Sequence, residues 1–215
     1  MELVDQTPAG IVFGPVPSRR LGRSLGVNNI PPKACSYSCV YCQLGRTANV
    51  QVTRRKFYNP VDILREAKLK YENAISLGES IDYITFVPDG EPTLDHRLGE
   101  TLELLRSIGA KVGVISNASL ISEQSVRDDL AEADWVSLKV DAVDKPTWKQ
   151  INRPHKDLSL AAIQHSRICT TSDCDFQATN VSGQRTEPAR GHRSVSHPNT
   201  RFPSPEMLPE NADNP

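Results

Sequence analysis

Between residues 24 and 160 the apolar positions alternate between two periods, one suited to strands and one to helices. Residues 24–30 (SLGVNNI) predict a short buried strand that ends just before a cysteine-rich loop. Asn59-Pro60 then marks a helix start, with Asn59 as the cap, Pro60 at the first helical position and Asp62 in the first turn. Behind it Val61, Leu64, Ala67, Tyr71, Ala74 and Ile75 recur at helical spacing. Residues 81–87 (IDYITFV) predict a second strand, stopped by the turn signal Pro88-Asp89-Gly90. Leu98, Leu102, Leu105 and Ile108 give an amphipathic helix closed by Gly109, and Lys111–Ser116 gives a third strand. Ser122 caps a short helix carrying Val126 and Leu130, and Trp135–Val140 forms a fourth strand.

Apolar strands alternating with helices predict an α/β fold, a parallel sheet with helices outside it, curled into a barrel or left open. Four polar segments follow the strand ends: the cysteine loop, Asp89 to Thr93, Ser116 to Ser119, and Lys139 to Asp141. Parallel α/β folds gather their functional side chains on that edge. Alternation along the fourth strand puts Ser137, Lys139 and Asp141 on one face and Leu138 and Val140 on the other, so in a barrel the polar face points inward.

The pattern fades after residue 160. Residues 161–215 hold only eight large apolar residues, with neither period, too few to offset the entropy of ordering the segment. The chain therefore divides into a domain over 1–160 and a disordered or aberrant tail over 161–215. The abruptness of the change points to a frameshift, a mis-assigned splice or another truncating event near residue 163. Such an ending leaves Trp135–Val140 as an exposed sheet edge.

The formal charge of −1 says nothing about partners, but residues 1–60 carry eight Lys and Arg against Glu2 and Asp5. This basic third suits an anionic substrate such as RNA, or a solvated face balancing an anionic cluster. No apolar run approaches the ~20 residues that span a bilayer, and the first residues lack the basic and apolar regions of a secretory signal. A cytoplasmic protein without membrane association is expected. Five cysteines with three of them crowded together suit metal binding better than a disulfide framework.

Those three, Cys35, Cys39 and Cys42, stand in a CxxxCxxC spacing with Tyr41 just before the last. Three thiolates can hold three corners of a [4Fe–4S] cluster and leave one iron open for chemistry. Zinc is the competing metal, but structural zinc wants four ligands and no His or Cys lies between Gly45 and His96. Cys169 and Cys174 fall in the tail. Inert buried thiols are the third reading, at odds with the polar company of Lys33, Ser36, Ser38 and Gln43.

CxxxCxxC with an aromatic before its last cysteine, following the first strand of a βα series, resembles the radical S-adenosylmethionine (radical SAM) superfamily. Residues 13–47 (FGPVPSRRLGRSLGVNNIPPKACSYSCVYCQLGRT) are similar to small radical SAM proteins related to wyosine-base-forming tRNA enzymes and glycyl-radical activating enzymes. The resemblance covers residues 11–160. It implies a partial (βα) barrel whose C-terminal units are missing, with a [4Fe–4S] cluster on Cys35, Cys39 and Cys42 and S-adenosylmethionine chelating the open iron. Reductive cleavage of that cofactor would release a 5′-deoxyadenosyl radical that abstracts hydrogen from a substrate. A reductant such as flavodoxin or ferredoxin is implied, and RNA, a polypeptide or a small molecule is left open as substrate.

By the same resemblance Tyr41 lies beside the adenine, and Asp89, Gly90, Glu91 and Pro92 form the loop that binds the SAM amino group. Asp89 stands where the usual residue is Gly. Ser116 and Asn117 would contact the ribose or the methionine, and Lys139, with Asp141 on its face, would pair with the SAM carboxylate. Arg19-Arg20 and Asn152-Arg153-Pro154-His155 are further candidates for substrate or phosphate contacts. The alternative is a non-catalytic iron–sulfur or zinc-binding protein.

Overall fold

The computed structural model of the protein describes residues 10–168 and 175–178. A hairpin opens it: β1 (Val12–Ser18) runs antiparallel to β2 (Gly22–Val27). From β2 a parallel series continues through β3 (Tyr83–Phe86), β4 (Lys111–Ser116), β5 (Trp135–Val140) and β6 (Asp175–Ala178), side by side in chain order. The connections carry α1 (Pro60–Ser76), α2 (Leu98–Arg106), α3 (Gln124–Ala131), α4 (Lys145–Asn152) and α5 (Leu160–Ile168). A parallel sheet in strict chain order puts its crossovers on one face when they share one hand. The result is the α/β architecture of a partial barrel.

The register gives the two faces different characters. Val27, Phe86, Val114 and Val136 lie in one row across the sheet, and Leu25, Ile84 and Val112 in another. These rows pack on Ile63 and Ala67 of α1, Leu98, Leu102 and Leu105 of α2, and Val126 and Leu130 of α3. Each large side chain removed from water there contributes about 1.5–3 kcal/mol. The opposite face carries the row Gly26, Thr85, Gly113 and Trp135, with Ser24 Oγ and Thr85 Oγ1 sharing a hydrogen bond of 2.7 Å. Ile115, Ser137 and Lys139 continue this face toward the strand ends, where Ile115 and Lys139 line a cleft.

Several expectations are corrected. β1 escapes detection because Gly14, Pro15 and Pro17 weaken its strand signal, yet an edge strand tolerates proline. On α1 the buried face runs through Pro60, Ile63, Ala67 and Ala74, while Val61 and Ile75 are exposed. Of the expected stripe, Ala67 and Ala74 are buried and Leu64 and Tyr71 pack against the core, whereas Val61 and Ile75 lie one step from a buried position and so point about 100° away from it. Glu123 rather than Ser122 stands at the N-cap position of α3, without a side-chain cap bond, and Gly109 lies past the end of α2, turning into β4 with φ +97. α4 gives a weak periodic signal because Trp148 and Asn152 are its buried residues. Order does not stop at residue 160: Leu160 and Ile163 of α5 are buried, and β6 pairs with β5, which is therefore not the sheet edge. The rest of the expected disordered tail, with Cys169 and Cys174, lies outside the described residues.

Candidate metal and cofactor site

The loop after β2 is held from two sides. On one side it meets the loop after β3: Lys33 N donates to the Asp89 carbonyl (2.8 Å) and Glu91 N to the Ala34 carbonyl (2.9 Å). Gly90 sits between these bonds, where a Cβ would stand 2.1 Å from the Ala34 oxygen, so only glycine permits the approach. On the other side it meets the end of α4. Ser38 N donates to the Asn152 carbonyl (2.9 Å), Val40 N to that of Ile151 (2.9 Å), and His155 N to that of Ser36 (3.0 Å). The first two use carbonyls that a helix C-terminus leaves unpaired, and the third uses a carbonyl of the loop itself. Tyr37 completes the clamp, accepting from Trp148 Nε1 at 3.2 Å with the two rings edge to face.

Cys35, Cys39 and Cys42 are free thiols on one cleft of about 420 Å³. Tyr41, Asp89, Gly90, Glu91, Ser116, Asn117 and Lys139 line the same cleft, so the ends of β3, β4 and β5 converge on the cysteine loop. Pro92 is buried beside it, starting a 3₁₀ turn, and Asp141 stands behind Tyr41 and Lys139. Among the described residues no group of three His, Cys, Asp or Glu side chains is drawn together tightly enough to hold a metal ion.

Glu91 is buried and its carboxylate is fully engaged. Oε1 accepts from Thr93 N (3.1 Å), Thr93 Oγ1 (2.6 Å) and Ser116 Oγ (2.7 Å), and Oε2 from Asn117 N (2.7 Å). Burial pushes its pKa up, against the pull of these bonds. Glu91 thus ties the loop after β3 to the end of β4. Asp89, by contrast, is exposed on the cleft, and no hydrogen bond or ion pair holds its carboxylate among the described residues.

Asn117 is also occupied: Nδ2 donates to Ser36 Oγ (3.1 Å) and approaches Cys35 Sγ (3.7 Å), and Oδ1 accepts from Ser119 N (2.9 Å). Lys139 Nζ stands 3.9 Å above the centre of the Tyr41 ring and 3.7 Å from Asp141 Oδ1. Tyr41 in turn donates its hydroxyl to Asp141 Oδ2. Burial, followed by this bond, pushes the Tyr41 pKa up, so the phenol stays protonated.

Three cysteine thiols lining one cleft are the donor type that an iron–sulfur cluster takes. Burial, aided by the nearby Glu91 and Cys39 charges, pushes the Cys35 thiol up to about 12. Such a thiol ionises only against a strong local positive charge, which a coordinated metal provides. Side-chain amides already point at two of the sulfurs, Asn117 at Cys35 and Asn152 at Cys39 (3.4 Å).

The sequence missed Tyr37, Ser36 and Trp148, and Asn152 was singled out for another purpose. The segment from Asn152 to His155 contributes mainly backbone to the cysteine clamp. Arg19 and Arg20 stand apart from the cysteines, on a second cavity of about 320 Å³ that shares Ile115 and Lys139 with the first. The basic third is partly internal: Arg54 bonds to Asp129 and to the carbonyls of Thr93 (2.9 Å) and Asp95 (2.8 Å).

A UPF0026 protein of Methanocaldococcus jannaschii is 52% identical over 158 residues, covering 74% of this chain and 49% of the relative. An S-adenosylmethionine-dependent nucleotide dehydratase of Flammeovirga pacifica is 25% identical over 156 residues, covering 67% of this chain and 50% of that protein. Among solved structures, archaeal TYW1 shares the fold with a TM-score of 0.50 at 17% identity, covering 74% of this chain and 56% of that one. The chain spans about half the length of these proteins. Residues 29–170 match the family model of the Radical SAM superfamily, and the chain belongs to that superfamily.

Proposed function

We propose that the chain is a radical SAM enzyme that binds a [4Fe–4S] cluster through Cys35, Cys39 and Cys42 and S-adenosylmethionine in the adjoining cleft. The observation that carries this reading is the convergence of three free thiols and three strand ends on one cleft. When bound, the cluster supplies the electron that breaks the sulfonium C–S bond, yielding methionine and a 5′-deoxyadenosyl radical for hydrogen abstraction. The protein's own residues bind, orient and exclude water.

The unengaged carboxylate of Asp89 takes the SAM ammonium, a charge-assisted contact for which Glu91 has no oxygen to spare. Glu91 instead fixes the loop that presents Asp89. Lys139 takes the SAM carboxylate, exchanging its hold on Asp141 for the ligand. Tyr41 offers a flat edge to the adenine, while Ser116 and Asn117 hold the cleft floor. Substrate enters through the cavity lined by Arg19 and Arg20, which shares a wall with the cofactor cleft. The reductant is a low-potential protein such as flavodoxin or ferredoxin, and a reducing cytoplasm keeps the thiols available. Among the described residues no helix is long and apolar enough to cross a membrane.

Anaerobic reconstitution with iron and sulfide tests the reading. About four irons per chain, and 5′-deoxyadenosine formed from S-adenosylmethionine under dithionite, are expected. Cys39→Ala abolishes the cluster, whereas Lys139→Ala keeps the iron and weakens SAM binding about tenfold, the loss of one charge-assisted contact. Stoichiometric zinc without SAM cleavage would contradict the proposal.

A further inference from the structure

We infer that Asn152 is a positioning residue for the metal site: its side-chain amide holds the Cys39 sulfur in place and raises the reduction potential of the cluster bound there. The inference rests on the cluster reading above.

Asn152 is the last residue of α4 and is 1% exposed. An amide nitrogen carries two hydrogens and accepts nothing. Nδ2 donates to Asp141 Oδ2 and lies 3.4 Å from Cys39 Sγ, so its two donors face a carboxylate and a sulfur. The Tyr41 hydroxyl oxygen, which donates its own hydrogen to the same Asp141 oxygen, is a second acceptor 3.4 Å away, a long distance for a bond to oxygen and an ordinary one for a bond to sulfur. The orientation of the amide is therefore fixed, because reversing it would set its carbonyl against the carboxylate.

The backbone reinforces the side chain. The carbonyls of Asn152 and Ile151 accept from Ser38 and Val40, the neighbours of Cys39 on either side. Arg153 follows in the left-handed region with φ 45, ending the helix at this point. Cys39 is thus gripped at both flanking peptides and at its sulfur by the end of one helix. The third member of the arrangement, Asp141, is shared with Lys139 and Tyr41. A path of direct contacts therefore runs from Lys139 through Asp141 and Asn152 to Cys39.

A hydrogen bond donated to a ligating thiolate stabilises the extra electron that the cluster gains on reduction, and so raises its potential. The relevant step is the one-electron reduction of [4Fe–4S]²⁺ to [4Fe–4S]⁺ by a low-potential donor, dithionite in the measurement. Loss of the donor should leave the electron count unchanged and make that reduction less favourable.

The test compares the full chain with Asn152→Ala and Asn152→Asp after anaerobic reconstitution. Iron per chain, circular dichroism and an EPR-monitored dithionite titration without S-adenosylmethionine are read for each. The expected result is full iron with a midpoint moved negative. An about tenfold loss in the reduction equilibrium constant corresponds to about 59 mV for one electron. The shift for Asn152→Asp should have the same sign, because its carboxyl shares a proton with the adjoining Asp141 and no longer offers Cys39 an amide donor. This variant also matches the native side chain in shape, and it carries the test if Asn152→Ala does not fold. Loss of iron from both variants with native circular dichroism also supports the inference, placing the effect in the hold on Cys39. An unchanged or raised midpoint at full iron overturns it, as does unfolding of both variants, which makes Asn152 a scaffold residue. Failure of the wild type to take up a cluster removes the underlying function and the inference together, and is distinguished by its own iron count.

Discussion

Two carboxylates three positions from end to end, Asp89 and Glu91, face the same cleft with different tasks. Glu91 is buried with both oxygens accepting from Thr93, Ser116 and Asn117, whereas Asp89 is exposed and unengaged among the described residues. Their substitutions should therefore separate. Asp89→Asn is expected to lower SAM affinity about tenfold with little change in stability, since it weakens one charge-assisted contact. Glu91→Gln turns an amide donor toward the Asn117 N–H or the Thr93 and Ser116 donors, and should cost about 1–3 kcal/mol. Denaturant unfolding and equilibrium SAM binding of the two variants check the division; equal losses in both measurements would contradict it. The loop itself was legible in the sequence because a Pro-Asp-Gly turn follows an apolar strand. Which carboxylate is free was not legible, because it depends on the end of β4 reaching back to Glu91 across the sheet.

At the scale of elements, local signals worked where one residue decides the backbone. The Asn59 side chain accepts from Val61 N at 3.1 Å, and Pro60 occupies the first turn, so the start of α1 was readable. Asn59→Ala is expected to destabilise the fold by about 1 kcal/mol, the usual worth of such a cap. A denaturation midpoint shifted at constant slope would show it, and no shift would mean that tertiary contacts alone fix the helix start. The parallel strands β2 to β5 were readable from their apolar runs, β4 and β5 with their observed bounds, whereas β6 fell in the expected tail. Elements defined by what they pack against were not. β1 is held by pairing with β2 despite its prolines, and α4 by Trp148 against Tyr37 and by its carbonyls receiving the cysteine loop. Such partners are distant in sequence and leave no period behind.

For the whole molecule, the same network that shapes the cleft buries charge and so links stability to pH. Asp95 is fully buried, accepts from Arg97 N (3.0 Å) and Asn29 Nδ2 (3.2 Å), and burial pushes its carboxyl from 3.8 up to about 6. A raised carboxyl favours the folded state fully below the unfolded value and loses that advantage as pH rises through the folded one. Relative to Asp95→Asn, which cannot titrate, the protein should lose up to about 3 kcal/mol between about pH 4 and 6 and little above. Unfolding curves of both proteins across that window check the sign, and a gap that widens in the wild type's favour with rising pH would reverse it. The sheet order, the clamped cysteine loop and the shared cleft all serve one claim, that Cys35, Cys39 and Cys42 hold a cluster with an iron open to S-adenosylmethionine. EPR of the reconstituted, dithionite-reduced protein with and without S-adenosylmethionine tests it most directly. The account predicts a [4Fe–4S]⁺ signal whose g values shift when S-adenosylmethionine is added. A cluster signal indifferent to S-adenosylmethionine, or no cluster signal at all, would contradict it.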